Sequence, residues 1–468
     1  MKKIAALDIH SPLCLSTTTN YFAAGDIGDL YPLIDKAAKA GFSLIQLGPI
    51  HDTGEYQPNP YKPLSTFSYN PIHVDTNHLP GFNPKPFLKA HQSQIQALNQ
   101  DSGKYSYQDI YKLKIEALKL SYHHVKHNPS LDFFKYKKNI FQHIKNYAIY
   151  KTISQQHGQN WTIWPKKLKP LFADFHLYTQ WILHTQWQQV KTYAQKHNIQ
   201  FLIDKPIYPI PNSSDVWANP SLFYLNADGT PQYISGCNNP GDPFGQQTWG
   251  HAVYQFQQKP DEVIKIFINN LQFLSQLSPI IRIDNGEHHP AIKNHLFSKI
   301  KQHMPHLNLI AEDVGFVSQK EVDKPLAKLG LPGLRCFQWN HPKYLNLSTY
   351  PANSIALTAN HDTQSVQGWI NSASRQDVQQ FKQHNPEFKN QEKINPWDII
   401  KKVFNTNSKI ATITLRDLEN DPRRYNKPGS ENSHNWSNRM QTPIKNLNIK
   451  QITSIIHQSN RNPLTNTI

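Results

Sequence analysis

An arginine and an aspartate stand one residue apart at the end of an apolar run in the segment PIIRIDNGEHHP, residues 279–290. In a β-strand, residues i and i+2 point to the same face, so Arg282 and Asp284 would lie side by side. Such a pair is either a salt bridge that faces solvent or a carboxylate held ionised for chemistry by the arginine beside it. The segment alone does not decide between these two interpretations.

Acidic side chains also close several other apolar runs. They are Asp204, Glu312 with Asp313, Asp362 (preceded by His361) and Asp417. Glycoside chemistry uses such groups: one carboxylate as nucleophile, one carboxyl to protonate the leaving oxygen, and further negative charge near an oxocarbenium-like transition state. The proton donor must hold its proton near neutral pH. We expect Asp284, Glu312 and Asp362 to form this set; the alternative is three separate strand-end acids, each paired with a basic neighbour.

Eight apolar runs recur along the chain, and helical patterns precede several of them. In DLYPLIDKAAKAG, apolar residues recur at helical spacing, Asp29 is a candidate start cap, and Gly41 is a candidate end. This alternation predicts a parallel sheet, and eight units predict an α/β fold, a (β/α)8 TIM barrel with helical insertions, whose strands end at one rim. The predicted strands are residues 3–10, 42–50, 200–207, 279–284, 307–313, 334–339, 354–362 and 410–418.

Two stretches interrupt the alternation. Residues 72–165 are mostly helical in pattern and aromatic-rich, so we interpret them as an insertion between the second and third strands of a barrel built from residues 1–71 and 166–468. Residues 209–259 are rich in Pro, Gly and Asn and form a long loop within that barrel. Loops of this length in a compact domain are usually functional, so we place this one at the active site.

Composition excludes several classes of protein. The net charge is +16, but the basic residues are spread out, which predicts a solvated basic surface and no nucleic-acid partner. Cys14, Cys237 and Cys336 have no disulfide or zinc-ligand spacing, which fits a reducing compartment. The apolar run of residues 4–7 is too short for a secretion signal, and no run approaches the ~20 residues of a membrane span. These features predict a cytoplasmic protein with no membrane partner.

A series of motifs, in order along the chain, resembles the 4-α-glucanotransferases, the amylomaltase or disproportionating-enzyme family related to the α-amylases. No single motif is specific, but their joint occurrence in order is. The motifs are GDIGDL (25–30), NPYKPLSTFSYNP (59–71), WPKKL (164–168), the block DKPIYPIPNSSDVWANPSLFYLNADGTP (204–231), RID (282–284), IAEDVG (310–315), GLPGLRCFQ (330–338), NHDT (360–363) and RRYNKPGSENSHNWSNR (423–439).

The resemblance implies a role for each of the three carboxyls. Asp284 is the nucleophile that forms a covalent glucosyl-enzyme, Glu312 is the general acid and then the general base, and Asp362 binds sugar hydroxyls and stabilises the transition state. The family acts on neutral glucan donors and acceptors and needs no metal or organic cofactor, so none is expected here.

The resemblance also implies substrate contacts. Arg282 and His361 lie next to the nucleophile and the sugar, and Asp204 is the acid of the third strand. Tyr61 and Trp249 match aromatic substrate contacts, although core packing is the alternative for both. Residues 237–250 resemble a lid over the site.

The chain departs from the family pattern near the sugar-binding positions. Asn285, Gly286 and Glu287 replace the usual His-Phe-Arg-Gly, and Lys62 replaces a glutamine. Arg416 precedes Asp417 where Gln-Asp is usual, and residues 212–213 are Asn-Ser instead of Asp-Ser. These changes leave the three carboxyls in place and bear on acceptor preference.

We therefore expect a 4-α-glucanotransferase that transfers segments of α-1,4-glucan between malto-oligosaccharides or starch- and glycogen-type chains by a retaining double displacement. The alternatives are a related α-glucan hydrolase and a non-catalytic glucan-binding protein.

Overall fold

The structure, a computed structural model, describes residues 2–16, 22–101, 103–165, 173–237, 246–284, 290–312, 328–339, 342–430 and 434–461. Ten strands lie in this part of the chain. They are β1 (Ile4–His10), β2 (Leu44–Leu47), β3 (Gln200–Lys205), β4 (Ile234–Cys237), β5 (Gln247–Ala252), β6 (Ile280–Ile283), β7 (Asn308–Ala311), β8 (Gly333–Cys336), β9 (Ser354–Leu357) and β10 (Ile410–Thr414).

Eight of these strands form one parallel sheet in the order β7-β6-β3-β2-β1-β10-β9-β8. The two outer members, β7 and β8, lie next to each other. A larger apolar cluster packs the sheet against the helices, as expected for parallel strands buried on both faces. A second cluster draws on all eight strands and fills a barrel interior: Ile4, Ala6, Leu44, Leu202, Ile280, Ile310, Leu334, Cys336, Ile355, Leu357 and Ile410. The predicted (β/α)8 barrel is confirmed.

Helices surround this barrel. Gly41, with a φ of 92°, ends the first helix as predicted, but Asp29 does not cap it; its carboxylate accepts the backbone N–H of Asp26 in a capping box one turn earlier. In the described residues no helix is both long and apolar enough to span a membrane. The helices are Leu30–Ala40, Pro84–Ala90, Gln92–Leu98, Tyr107–Val125, Leu131–Asn139, Gln142–His157, Ala173–Lys196, Ser214–Ala218, Pro260–Ser275, Pro290–His303, Pro342–Leu345, Val366–Ser372, Arg375–His384, Pro396–Phe404, Leu415–Glu419 and Lys450–Gln458.

The helices from Pro84–Ala90 to Gln142–His157 lie between β2 and β3, where the sequence predicts an insertion. Their apolar side chains, including Ile110, Leu118 and Ile144, belong to the same outer cluster as the barrel helices. The stretch 209–259 contains the short helix Ser214–Ala218 and the antiparallel ribbon β4–β5. The division of the chain at residues 72–165 stays a prediction.

The structure corrects the carboxyl ends of several predicted strands. Asp417 does not end a strand: β10 stops at Thr414, whose hydroxyl accepts the N–H of Asp417 and caps the helix Leu415–Glu419. Asp362 lies in a loop beyond β9, because the Asn360 side chain accepts the N–H groups of Asp362 and Thr363 and turns the chain. Asp313 lies outside the described residues. Local side-chain hydrogen bonds thus override the apolar pattern at these ends.

Candidate active site

The side chains that point into the barrel change from apolar to charged toward the carboxyl ends of the strands. Alternate residues of a strand share a face, so Leu202 of the interior cluster is followed by Asp204. By the same alternation Ile280 is followed by Arg282 and then Asp284. The register of β3 and β6 sets Asp204 beside Arg282. The arginine–aspartate pair of residues 279–290 therefore lies at the barrel mouth, with Arg282 itself buried.

The Arg282 guanidinium joins three carboxylates. Its Nη1 donates to Asp204 Oδ2 and lies 3.4 Å from Asp284 Oδ1, while its Nη2 lies 2.7 Å from Glu312 Oε1. A planar guanidinium presents its donors in a fixed fork, so it sets the mutual positions of the acids that it contacts. One cation among three partly or fully buried acids also leaves this part of the barrel mouth with excess negative charge.

Asp284 and Glu312 share a hydrogen bond. Burial raises the pKa of Asp284 well above its ordinary value, Glu312 raises it further, and Arg282 opposes both. The sequence led us to expect that Arg282 keeps Asp284 ionised; its charge acts in that direction, against burial and the second acid.

Asp204 also joins Tyr61 and His361 to this group. The Tyr61 hydroxyl donates to Asp204 Oδ2 at 2.6 Å and lies 3.1 Å from His361 Nδ1. The Tyr61 and His361 rings lie 4.6 Å apart between centroids. All three residues are buried. Since the Tyr61 proton is directed to Asp204, His361 Nδ1 must be the donor toward the Tyr61 oxygen.

Asp362 is held as a fixed anion. His361 Nε2 lies 3.1 Å from its Oδ2, and Asn426 donates to its Oδ1 at 2.7 Å. Arg424 donates to the Asp362 main-chain carbonyl. Burial alone would raise the pKa of Asp362, but His361 and Asn426 lower it to about 2. Its side chain stays 37% exposed, so the charge remains accessible from the barrel mouth.

The ribbon β4–β5 attaches to the loop that carries Tyr61. His251 of β5 lies with Nε2 2.9 Å from the Tyr61 carbonyl oxygen. Trp249 belongs to the same strand, and its indole N–H donates to the Gln247 side chain at 3.2 Å. Trp249 therefore lies two residues before the histidine that joins the ribbon to the Tyr61 loop. Most of the predicted lid, residues 238–245, and the departures at residues 285–287 lie outside the described residues.

Sequence reasoning missed four residues of this region. Asp8 follows Ala6 on the inward face of β1, and burial raises its pKa to about 6. His10, with a φ of 61°, stacks on Trp436 at 4.9 Å between ring centroids. The alternation along β1 could have identified Asp8 and His10. Asn426 and Trp436 follow no strand pattern, but both belong to the motif of residues 423–439, which was the available signal.

Among the side chains that the structure describes, no three of His, Cys, Asp or Glu are arranged to hold a metal ion. The described groups at the barrel mouth include the carboxyls, the Arg282 guanidinium, the His361 imidazole and the aromatic rings named above. Together they can supply a nucleophile, a proton donor and a fixed negative charge within one cleft.

Comparisons with known proteins identify the family of this chain. A family model described as 4-alpha-glucanotransferase matches residues 11–288 and 284–445. The 4-alpha-glucanotransferase of Aquifex aeolicus is 26% identical, over 91% of this chain and 93% of that protein. The one from Streptococcus pneumoniae serotype 4 is also 26% identical, over 96% of this chain and 97% of that protein.

Solved structures share the fold. An amylomaltase from Streptococcus agalactiae in complex with acarbose has a TM-score of 0.82 at 21% identity, covering 98% of this chain and 100% of that chain. An amylomaltase from Corynebacterium glutamicum has a TM-score of 0.79 at 16% identity, covering 98% of this chain and 75% of that chain.

Proposed function

The chain belongs to the 4-α-glucanotransferase family, and on that premise we propose that Asp284, Glu312 and Asp362 transfer α-1,4-glucan segments by a retaining double displacement. The observation that carries this proposal is the guanidinium of Arg282, which draws Asp204, Asp284 and Glu312 to one point of the barrel mouth. The donors and acceptors are malto-oligosaccharides or longer α-1,4-glucans. The predicted cytoplasmic location is part of the proposal.

In the first step the Asp284 carboxylate attacks the anomeric carbon of the donor sugar. The glycosidic C–O bond breaks as Glu312 gives its proton to the leaving oxygen, and an ester to Asp284 forms. The contact of both carboxyls with the Arg282 guanidinium supports this assignment. The positive charge of Arg282 favours the ionised form of Asp284 that the attack requires.

In the second step Glu312 takes a proton from the 4-hydroxyl of an acceptor sugar. The acceptor oxygen bonds to the anomeric carbon as the ester to Asp284 breaks, so the configuration is retained. The fixed anion of Asp362 favours the positive charge that develops on the sugar in both steps. His361 and Tyr61 hold Asp362 and Asp204 in position around the ring.

Transfer and hydrolysis share the same intermediate and differ in the molecule that attacks it. An ordered acceptor gains roughly 7–11 kcal/mol from positioning, enough to compete with abundant water. Trp249 and Tyr61 are the aromatic groups that we assign to this ordering, because the ribbon joins them through His251. The hydrolase alternative requires that this ordering fails. A non-catalytic protein would not need three acids in contact with Arg282.

The test is incubation with pure maltotriose, followed by product sizing and proton NMR of the earliest products. Glucose together with a ladder of longer oligosaccharides, in which every new linkage is α-1,4, is the expected result. Glucose and maltose alone would support the hydrolase. New linkages of β configuration would overturn the retaining mechanism. An unchanged substrate would favour the non-catalytic alternative.

A further inference from the structure

Loop 50–70, which leaves β2 and carries Tyr61, packs against the helices Tyr107–Val125 and Gln142–His157. We propose that Tyr107 and Asp52 are positioning residues that hold Tyr61 in hydrogen-bonding reach of Asp204 and His361. Two helices between β2 and β3 then help to set the geometry of the site. This inference rests on the proposed function, because it assigns Tyr61 a role in the reaction.

One anchor is a series of hydrogen bonds that runs from the Tyr107 hydroxyl into the loop. The Asn70 amide donates to the Tyr107 hydroxyl at 2.9 Å, and the Thr53 hydroxyl donates to the Gln57 carbonyl at 2.5 Å. The Tyr107 and Thr53 oxygens lie 2.8 Å apart. Because the Thr53 proton is used on Gln57, Tyr107 must be the donor in this contact. The buried phenol thus fixes the first part of the loop through one hydroxyl.

This series of hydrogen bonds continues to the Tyr61 backbone. The Gln57 side-chain oxygen accepts the N–H of Asn59 at 3.1 Å. The Asn59 side-chain oxygen accepts the N–H of Tyr61 at 3.0 Å, and the Asn59 carbonyl accepts the N–H of Lys62 at 3.1 Å. Side-chain oxygens of this kind stabilise one turn geometry over others. A displacement at Thr53 therefore passes to the main chain of Tyr61.

The other anchor is Asp52, whose side chain is fully buried. Its carboxylate lies 3.0 Å from Lys151 Nζ and accepts from the Tyr147 hydroxyl at 2.6 Å and the Tyr111 hydroxyl at 3.2 Å. These three partners all belong to the two helices. The Asp52 carbonyl accepts the N–H of Leu64 at 2.8 Å, three residues beyond Tyr61. The loop is therefore held on both sides of Tyr61.

Stability alone is a poor explanation for this cluster. A buried ion pair costs desolvation that its attraction offsets only in part, and apolar residues of similar volume often stabilise as well or better. What the polar cluster adds is a defined geometry. Tyr61 needs that geometry because its hydroxyl meets two partners at once, and a misplacement of about 1 Å in an active site can cost about 100-fold in rate.

A double-mutant cycle tests the path from Tyr107 to Tyr61. Tyr107→Phe removes one hydroxyl and should lower kcat/KM for maltotriose disproportionation about tenfold. In a Tyr61→Phe background the same change should have little further effect, because both act through the same contact. The matched control is Tyr178→Phe: Tyr178 is also buried, and its hydroxyl bonds Ser121 instead of a residue of loop 50–70. Equal losses from Tyr107→Phe in both backgrounds would overturn the proposal.

Hydrogen exchange gives a readout that does not depend on activity. Amides of residues 53–64 should exchange at least several-fold faster in Tyr107→Phe and in the double variant Asp52→Asn, Lys151→Met, which removes both charges together. The control Lys114→Met breaks a different buried ion pair, between Lys114 of helix Tyr107–Val125 and Asp26, and should leave these amides unchanged. Unchanged exchange in the test variants would refute the positioning role. An inactive wild-type enzyme with faster exchange in the variants would refute the proposed function alone.

Discussion

The Nε2 atom of His361 lies 3.1 Å from Oδ2 of Asp362. The other ring nitrogen, Nδ1, faces the Tyr61 hydroxyl, whose own proton is directed to Asp204. Both imidazole nitrogens therefore carry hydrogen, and the pair is an ion pair. In agreement, burial lowers the pKa of His361, but Asp362 more than offsets it, so the pKa of His361 is raised.

This ion pair predicts a specific dependence of stability on pH. The raised pKa of His361 adds stability that is complete below about pH 6.5, its unfolded value, and is lost as pH rises through the folded pKa. The lowered pKa of Asp362, about 2, adds stability that is present above about pH 3.9 and is lost as pH falls toward 2. His361→Gln should therefore lower Tm most between about pH 4 and 6.5. Thermal unfolding of both proteins from pH 3 to 9 checks this, and a Tm difference independent of pH would contradict it.

Asp284→Asn and Glu312→Gln should each lower transfer by at least roughly 1000-fold, since each removes a covalent or proton-transfer step. The effect of Asp284→Asn on stability should be opposite to the usual one for a buried change. Burial and Glu312 raise the pKa of Asp284, so its ionised form costs stability at neutral pH. Asp284→Asn should then keep or raise Tm at pH 7. Near-normal activity in either variant would remove that residue from the mechanism.

Arg282→Lys should move the acid limb of the kcat/KM profile to higher pH. Arg282 is the group that lowers the pKa of Asp284 against burial and Glu312, and a lysine point charge cannot contact three acids with a planar fork. The nucleophile then ionises at higher pH. A pH series of initial rates with maltotriose measures the shift. An acid limb that stays in place while the rate falls would assign Arg282 to sugar binding alone.

Trp249→Ala should raise the share of hydrolysis relative to transfer. Trp249 lies on the ribbon that His251 joins to Tyr61, and we assign it to acceptor ordering. Free reducing ends and oligosaccharide ladders, measured together on maltotriose, give the ratio. The matched control is Tyr233→Ala, an exposed aromatic residue next to β4 that packs on Tyr224. An unchanged ratio in Trp249→Ala would leave this tryptophan without a role in acceptor ordering.

The barrel was predictable because its signals are local and repeated. A parallel strand buried on both faces must be apolar along its length, and each of the eight runs of this kind contains or largely overlaps a strand. The ends of those runs were less predictable. The side chains of Thr414 and Asn360 accept backbone N–H groups and so end the extended conformation. The apolar pattern continues past both residues and therefore predicts longer strands.

The family resemblance made Tyr61, Asp204 and Asp362 candidates, but only the fold shows their partners. Residues 61, 204 and 361 lie far apart in the chain, and the Tyr61 hydroxyl contacts both Asp204 and His361. Asn426 belongs to a motif that the sequence already singled out, yet its contact with Asp362 depends on how a loop with no strand pattern returns to the barrel mouth.

Which side chains of each strand face inward follows from the amino-acid pattern, because alternation is a property of the single strand. That pattern put Arg282 and Asp284 on one face from twelve residues of chain. The charge state of Asp284 does not follow from the pattern. The pKa of Asp284 depends on burial and on Glu312, which follows the neighbouring strand β7, and both arise when the barrel closes. Electrostatic interactions act through space, so the pattern of one strand could identify the carboxyl but not whether it holds a proton.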